Sequence, residues 1–260
     1  MNVANTVKTE CHPPLLWITI QRPGARNAVD GETARALAET FTYFESREDL
    51  AVAILTGSEG NFCAGADLKA VASEAPGKAN PVSPEGIGPM GSSRMQLSKP
   101  VIAAIDGYCV AGGLELALWC DMRIATERAV FGVYCRRFGV PLIDGGTVRL
   151  PRLIGMSRAM DMILTGRPVE AAEALHIGLA NRVVKPEELL TAAEELAHQI
   201  AAFPQLCLRN DRRSAYDQWG MDETSAMKRE FELGMTTLAS GETVAGAKRF
   251  SDGVGRHGQN

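Results

Sequence analysis

The sequence predicts an α/β fold, and three observations carry the prediction. A short, wholly apolar run at 51–56 and a second apolar run at 99–105 have the length and character of buried strands. Glycine-bearing turns follow these runs, in Asn61-Phe62-Cys63-Ala64-Gly65-Ala66-Asp67-Leu68 and in Gly107-Tyr108-Cys109-Val110-Ala111-Gly112-Gly113-Leu114-Glu115-Leu116. The second turn leads into a helix-like pattern, and repeated strand–turn–helix units make an α/β chain.

The elements follow in order. Residues 15–21 are an apolar strand ended by Arg22-Pro23-Gly24. Asp30 offers an N-cap for a helix to about Phe44, with Glu32 and Thr33 in its first turn. A strand at 51–56 turns through 57–60 into a second short strand at 62–64. Residues 75–91 are rich in Pro, Gly, Ser and Asn and predict a mobile loop. A strand at 99–105, a helix at 114–120 and a strand at 122–125 come next. Short helices are expected at 157–165 and 169–176. Residues 186–202 predict an amphipathic helix with Pro186 in its first turn. Leu189, Leu190, Ala193, Leu196, Ala197 and Ile200 form its apolar face, and Pro204 stops it. Residues 205–240 are mostly helical. A boundary near 200 divides the chain into a core at 1–200 and a helical region at 201–260.

Composition limits the function. The chain has 260 residues, 45% of them hydrophobic, enough for one sizeable core. A net charge of -4 and the lack of a basic stripe argue against nucleic acid or an anionic membrane as partner. No apolar run reaches membrane-span length and no leader pattern opens the chain, so the expected location is cytoplasmic. Six scattered cysteines without a CxxC pair read as buried free thiols, and four dispersed histidines predict no metal site.

Two glycine turns can aim backbone N–H groups at one point. Such a point suits a carbonyl oxygen gaining negative charge, because preformed donors stabilise it without reorganising. Either turn alone is equally well explained by crowded backbone or positive φ. Glu115 lies near a helix start among Leu114, Leu116, Ala117 and Leu118. There it is either an exposed residue favoured by the helix dipole or a buried acid/base whose pKa burial raises.

Further markers accompany these turns in order. They are Arg22-Pro23 with Asn27-Ala28, then Lys99-Pro100-Val101-Ile102-Ala103-Ala104-Ile105-Asp106-Gly107, Cys120-Asp121, Phe131-Gly132 and Gly145-Gly146-Thr147. The set resembles the crotonase, or enoyl-CoA hydratase/isomerase, superfamily from about Ile18 to the C-terminal helices. That resemblance implies a core of stacked ββα turns with a C-terminal helical part used for trimerisation, and a homotrimer or hexamer. It implies a lyase acting on an acyl-CoA thioester, with no separate cofactor because coenzyme A is carried as part of the substrate. Hydration of a trans-2-enoyl-CoA is the first expectation. Isomerisation, other lyase or hydrolase chemistry and acyl-CoA binding alone are alternatives.

By the resemblance, Ala66 and Gly112 supply the oxyanion-hole N–H groups and Glu115 matches one of two catalytic glutamates. Cys135 stands where the hydratase pattern has the second, in Val133-Tyr134-Cys135-Arg136-Arg137. A thiol is no simple substitute for a carboxylate. Arg136 and Arg137 would lower its pKa, or it is an inert buried thiol. Asp144, in Ile143-Asp144-Gly145-Gly146, is either a helix cap or a second acid/base, as in dienoyl-CoA isomerases. The resemblance further puts coenzyme A against Arg22, Ala25, Ala64, Asp67 and Leu68. Lys69 is either nearby or solvated. Lys248, Arg249 and Phe250 either reach a neighbouring subunit's nucleotide phosphates or form a basic surface. The 75–91 loop, with Met90, Met95 and Leu97, shapes the acyl pocket or fills core.

Overall fold

Strand β1 (Val7–His12) pairs antiparallel with β2 (Leu15–Ile20) at one edge of a six-stranded sheet. Strands β3 (Val52–Gly57), β4 (Val101–Ile105), β6 (Met122–Thr126) and β9 (Arg182–Val184) continue it in parallel, in the order β1-β2-β3-β4-β6-β9. Strands β5 (Tyr108–Val110), β7 (Val130–Gly132) and β8 (Val169–Glu170) make a second, three-stranded sheet. Helices α1 (Gly31–Ser46), α2 (Leu68–Ala72), α3 (Gly112–Trp119), α4 (Gly146–Ile154), α5 (Met156–Thr165) and α6 (Ala171–His176) lie between strands or strand pairs, with α4 and α5 consecutive. Helices α7 (Leu189–Ala201), α8 (Gln205–Asp217), α9 (Glu223–Ser240) and α10 (Glu242–Ser251) follow. This computed structural model describes residues 6–73 and 75–254, and the chain divides into two compact units, Met1–His198 and Gln199–Asn260.

The first unit is a series of ββα turns. In one, β4 belongs to the large sheet, β5 to the small sheet, and α3 closes the turn. The predicted strand at 62–64 is corrected to a single bridge between Cys63 and Cys109. The chain leaves extended geometry at Gly65, whose φ is +97°, so the run is too short to build a ladder. Strand β1 escapes the sequence reading because its Lys8 and Glu10 hide the apolar signal of an edge strand.

Parallel register makes both faces of the large sheet apolar. Leu16, Ile18, Ala53, Leu55, Ala103 and Ile105 enter the main core, while their neighbours Leu15, Ile54, Ile102 and Ala104 are also fully buried. Helix α1 packs on β1 and β2, and the Phe41 and Trp119 rings meet edge to face at 4.8 Å. Asp30 caps α1 as expected, its side chain accepting the Thr33 N–H at 2.9 Å. On α7 the expected six-residue face narrows. Leu189, Ala193, Leu196 and Ala197 are buried, but Leu190 is exposed and Pro186 begins a separate 3-10 turn.

In the second unit, Glu242 accepts the N–H groups of Leu206 and Cys207, and Asn210 bonds the Thr236 and Thr237 hydroxyls, tying α8 to the α9–α10 corner. Among the described residues no helix is long and apolar enough to cross a membrane, and no cluster of His, Cys, Asp and Glu is placed to hold a metal ion. The expectation of buried thiols holds for Cys63, Cys109, Cys120 and Cys135. Cys11 is exposed and Cys207 half-buried.

Candidate active site

The two glycine turns meet. A Cβ on Gly65 would lie 2.8 Å from both the Gly112 nitrogen and the Ala111 Cβ, so only glycine lets the segments touch. A Cβ on Gly113 would in turn lie 2.8 Å from the Cys63 Cβ. Ala111 holds φ at +53°, a strained value for a residue with a side chain, and releases the chain into α3 at Gly112. Ala66 bridges to Val29, but that ladder uses the N–H of Asp67 and the carbonyl of Gly65. Among the described residues no acceptor is assigned to the N–H of Ala66 or of Gly112. Gly112 has none within α3 because it is the helix's first residue.

One turn further along α3, Glu115 is buried with 3% of its surface exposed. The exposed-face alternative is therefore excluded: every residue of α3 is buried. Its Oε1 accepts the backbone N–H of Asp144 at 2.9 Å and of Gly146 at 2.8 Å. Burial pushes the Glu115 carboxyl from an ordinary 4.5 to about 7. The Gly146 N–H opposes the rise and the Asp144 carboxyl adds to it.

Asp144 does not cap α4. Gly145 holds the N-cap position in left-handed geometry with no side-chain bond, and the Asp144 carboxylate points elsewhere. Its Oδ1 accepts the Met90 N–H at 2.9 Å and the Ser93 hydroxyl. Burial raises the Asp144 pKa, while the Ser93 hydroxyl, the Met90 N–H, Arg94 and Arg149 hold the rise in check. Among the described residues no donor is assigned to Glu115 Oε2 or Asp144 Oδ2, so each carboxyl keeps one oxygen uncommitted.

Met90 joins the two halves of this site. Its backbone reaches Asp144, and its sulfur would be 2.6 Å from a Cβ on Gly112. Met90 and Leu97 are buried core residues, and Met95 lends its carbonyl to the Trp119 indole. The 75–91 segment is irregular as expected, and it lays Gly88 and Met90 against Asp144 and Gly112.

Cys135 is buried. Its thiol pKa is raised by burial and by the Glu115 carboxyl, with Arg136 opposing. The arginines do not activate it: Arg136 donates to the Ile163 carbonyl, and Arg137 donates to the Gly166 carbonyl and stacks on Tyr134. The inert-thiol alternative is the one that fits.

The residues expected to hold coenzyme A gather beside the Ala66 turn. Arg22 pairs with Asp67 at 2.8 Å and with Asp30 at 3.0 Å, and also donates to the Ala28 carbonyl. Asp67 accepts the Lys69 and Ala70 N–H groups at the start of α2. Burial opposes the shift, but Arg22 and these donors keep its carboxyl below the ordinary range. Ala25 and Ala64 are half-buried, Leu68 and Lys69 exposed, and the Ala64 N–H donates to the Arg26 carbonyl. Lys248, Arg249 and Phe250 are exposed on α10 of the second unit.

The fold and this geometry meet independent comparisons. Residues 12–253 match the family model described as Enoyl-CoA hydratase/isomerase. The chain belongs to the enoyl-CoA hydratase/isomerase family. Within that family it is 36% identical over 240 residues to Enoyl-CoA hydratase EchA19 of Mycobacterium tuberculosis, covering 91% of this chain and 90% of that one. It is 44% identical over 197 residues to a Carnitinyl-CoA dehydratase of Salmonella arizonae, covering 75% of this chain and 74% of the relative. The crystal structure of enoyl-CoA hydratase EchA1 from Mycobacterium marinum superposes with a TM-score of 0.89 at 34% identity, over 95% of this chain and 96% of that one. The stacked ββα core expected from the sequence is thus the fold of this family.

Ser93 and Arg149 gave no signal in the sequence. Ser93 sits in an irregular segment beside a second serine, and nothing in its spacing points at Asp144.

Proposed function

We propose that the chain is an enoyl-CoA hydratase, adding water across the 2,3 double bond of a trans-2-enoyl-CoA to give the 3-hydroxyacyl-CoA. The observation that carries this reading is the junction of Glu115 with Asp144 beside the paired Ala66 and Gly112 turns. The named activities of the relatives, hydration and dehydration of CoA thioesters, support it.

The two carboxyls divide the work by their surroundings. Asp144, whose upward shift by burial is opposed by the Ser93 hydroxyl, the Met90 N–H, Arg94 and Arg149, acts in its ionised form and takes a proton from water. The water oxygen bonds to C3, and the π electrons move to the thioester oxygen. That oxygen rests on the N–H groups of Ala66 and Gly112, which stabilise the enolate. Glu115, its pKa pushed to about 7, gives a proton to C2 and the carbonyl re-forms. One water is added. A proton passing from Asp144 to Glu115 through solvent resets the pair.

Arg22, Ala25, Ala64, Asp67 and Leu68 line the approach for the pantetheine and adenine parts of the substrate. No separate cofactor takes part in this scheme. The enzyme works in the cytoplasm as a homotrimer or hexamer, and the exposed apolar side chains of the second unit are what such an assembly would cover.

A second reading rests on Cys135. With a raised-pKa thiol at that position, Glu115 and Asp144 serve equally well to move a proton between carbons, as an isomerase does. One assay separates the readings. Loss of the conjugated thioester absorbance of a short trans-2-enoyl-CoA, with a product heavier by one water, is expected for the wild type. Glu115→Gln should lower turnover by roughly a hundredfold to ten-thousandfold and leave acyl-CoA binding saturable. A shifted double bond without solvent oxygen would replace hydration by isomerisation. Saturable binding with no turnover would remove both.

A further inference from the structure

Asp144 is fixed by a small, closed arrangement that the reaction scheme does not itself require. Ser93 is fully buried, and its hydroxyl donates to Asp144 Oδ1. Arg149 straddles the same two residues. Its Nη1 donates to the Asp144 carbonyl and its Nη2 to the Ser93 carbonyl, each at 2.8 Å. The approach depends on Gly88, where a Cβ would lie 2.7 Å from Asp144 Oδ1 and would overlap the Ser93 hydroxyl. A buried serine hydroxyl and the Met90 N–H therefore meet on one carboxylate oxygen, with a glycine cleared beside it and a guanidinium tying the Asp144 and Ser93 backbones. Among the described residues the other oxygen has no donor assigned.

We propose that Ser93 is a positioning residue for the acid/base reaction, holding Asp144 in its ionised form and orienting its second oxygen, through a clamp that Arg149 closes across the two backbones. This inference rests on the reading of Asp144 as the proton acceptor.

The physical reason lies in what surrounds the carboxyl. Glu115 on α3 faces it as a second acid, with the Cys135 thiol close to Glu115. Arg149 on α4 and Arg94 on the irregular segment are the cations nearby. Arg94 donates to the carbonyls of Ser83 and Ile143, and Arg149 to those of Asp144 and Ser93. Among the described residues the Ser93 hydroxyl and the Met90 N–H are the donors assigned to the carboxylate itself. A hydrogen bond to an ionised acceptor is among the stronger kinds, and it favours the charged form. Without Ser93, Asp144 holds its proton to higher pH and approaches Glu115 in acidity. The division between acid and base then narrows.

The test is the pH profile of kcat/KM for a short trans-2-enoyl-CoA, measured for wild type, Ser93→Ala, Ser93→Thr and Asp144→Asn. Ser93→Ala should move the acidic limb upward by about one pH unit, a loss of roughly tenfold on that limb that shrinks as the pH rises. Ser93→Thr keeps the hydroxyl and should restore the wild-type limb. If Ser93→Ala does not fold, Ser93→Cys, a weaker donor of similar size, should show the same upward shift. A uniform loss at every pH, or an unmoved limb, overturns the proposal.

A substrate-free measurement stands beside it. The melting-temperature gap between wild type and Ser93→Ala should be present near neutral pH and close on acidification, since only the ionised carboxylate loses its partner. A gap independent of pH also overturns the proposal. Should Asp144→Asn keep full turnover, the proton-acceptor reading of Asp144 fails and this inference falls with it. Should Asp144→Asn abolish turnover while Ser93→Ala leaves the limb in place, this inference alone fails.

Discussion

Glu115 carries two duties on one carboxyl group. Its Oε1 organises the backbone of Asp144 and Gly146, and its uncommitted oxygen is free for chemistry. Burial makes the charged form costly, so the residue trades stability against pH in a definite direction. The folded-state pKa, about 7, lies above the ordinary 4.5. Stability from this group is full below the ordinary value and is lost as the pH climbs to about 7, because the unfolded chain releases a proton that the folded chain keeps. Across that window the loss is about 1.4 kcal/mol per pH unit at its steepest. Glu115→Gln carries no such proton. Its melting temperature is expected to gain on the wild type between pH 5 and 7 and to hold a constant margin above. Melting curves that run parallel over the whole range would remove the buried-acid account of Glu115.

At the scale of elements, the turn at Gly65 and the start of α3 are one structure formed by two distant segments. Gly65→Ala is expected to lose most turnover and to cost about 1 to 3 kcal/mol. The new methyl has to displace the Gly112 nitrogen, and its residue has to hold a positive φ. Gly24→Ala, with open space around the position, is the control that should change neither property. Activity surviving in Gly65→Ala would mean that the two turns do not act together.

The same elements show what was legible beforehand. Apolar runs announced β2, β3 and β4, and Asp30 announced α1, because these signals are local. The ordered glycine and acid markers also brought Ala66, Gly112, Glu115 and Asp144 forward. Whether Asp144 capped a helix or faced Glu115 was open, since that depends on where the 88–93 segment folds back. Ser93 stayed invisible for the same reason. Strand β1 and the bridge at Cys63 depend on a partner strand rather than on their own residues.

On the scale of the molecule, α9 presents Met227, Phe231, Met235 and Leu238 at helical spacing, all of them exposed in the single chain. Such a stripe is more apolar surface than a lone soluble helix usually shows. The proposed assembly predicts a light-scattering mass of three or six chains, and a smaller particle for Phe231→Glu. A wild-type particle of one chain would dismiss it. In the first unit a different kind of complementarity governs the site. Gly65 lies against the Gly112 nitrogen and Gly113 against Cys63, so each turn is the mould in which the other is cast. Neither can acquire a side chain there unless the opposite backbone retreats, and retreat would draw the two N–H groups apart. The site is therefore inherited as a pair, and a graft that carried only the later turn to another scaffold would copy its letters and lose its shape.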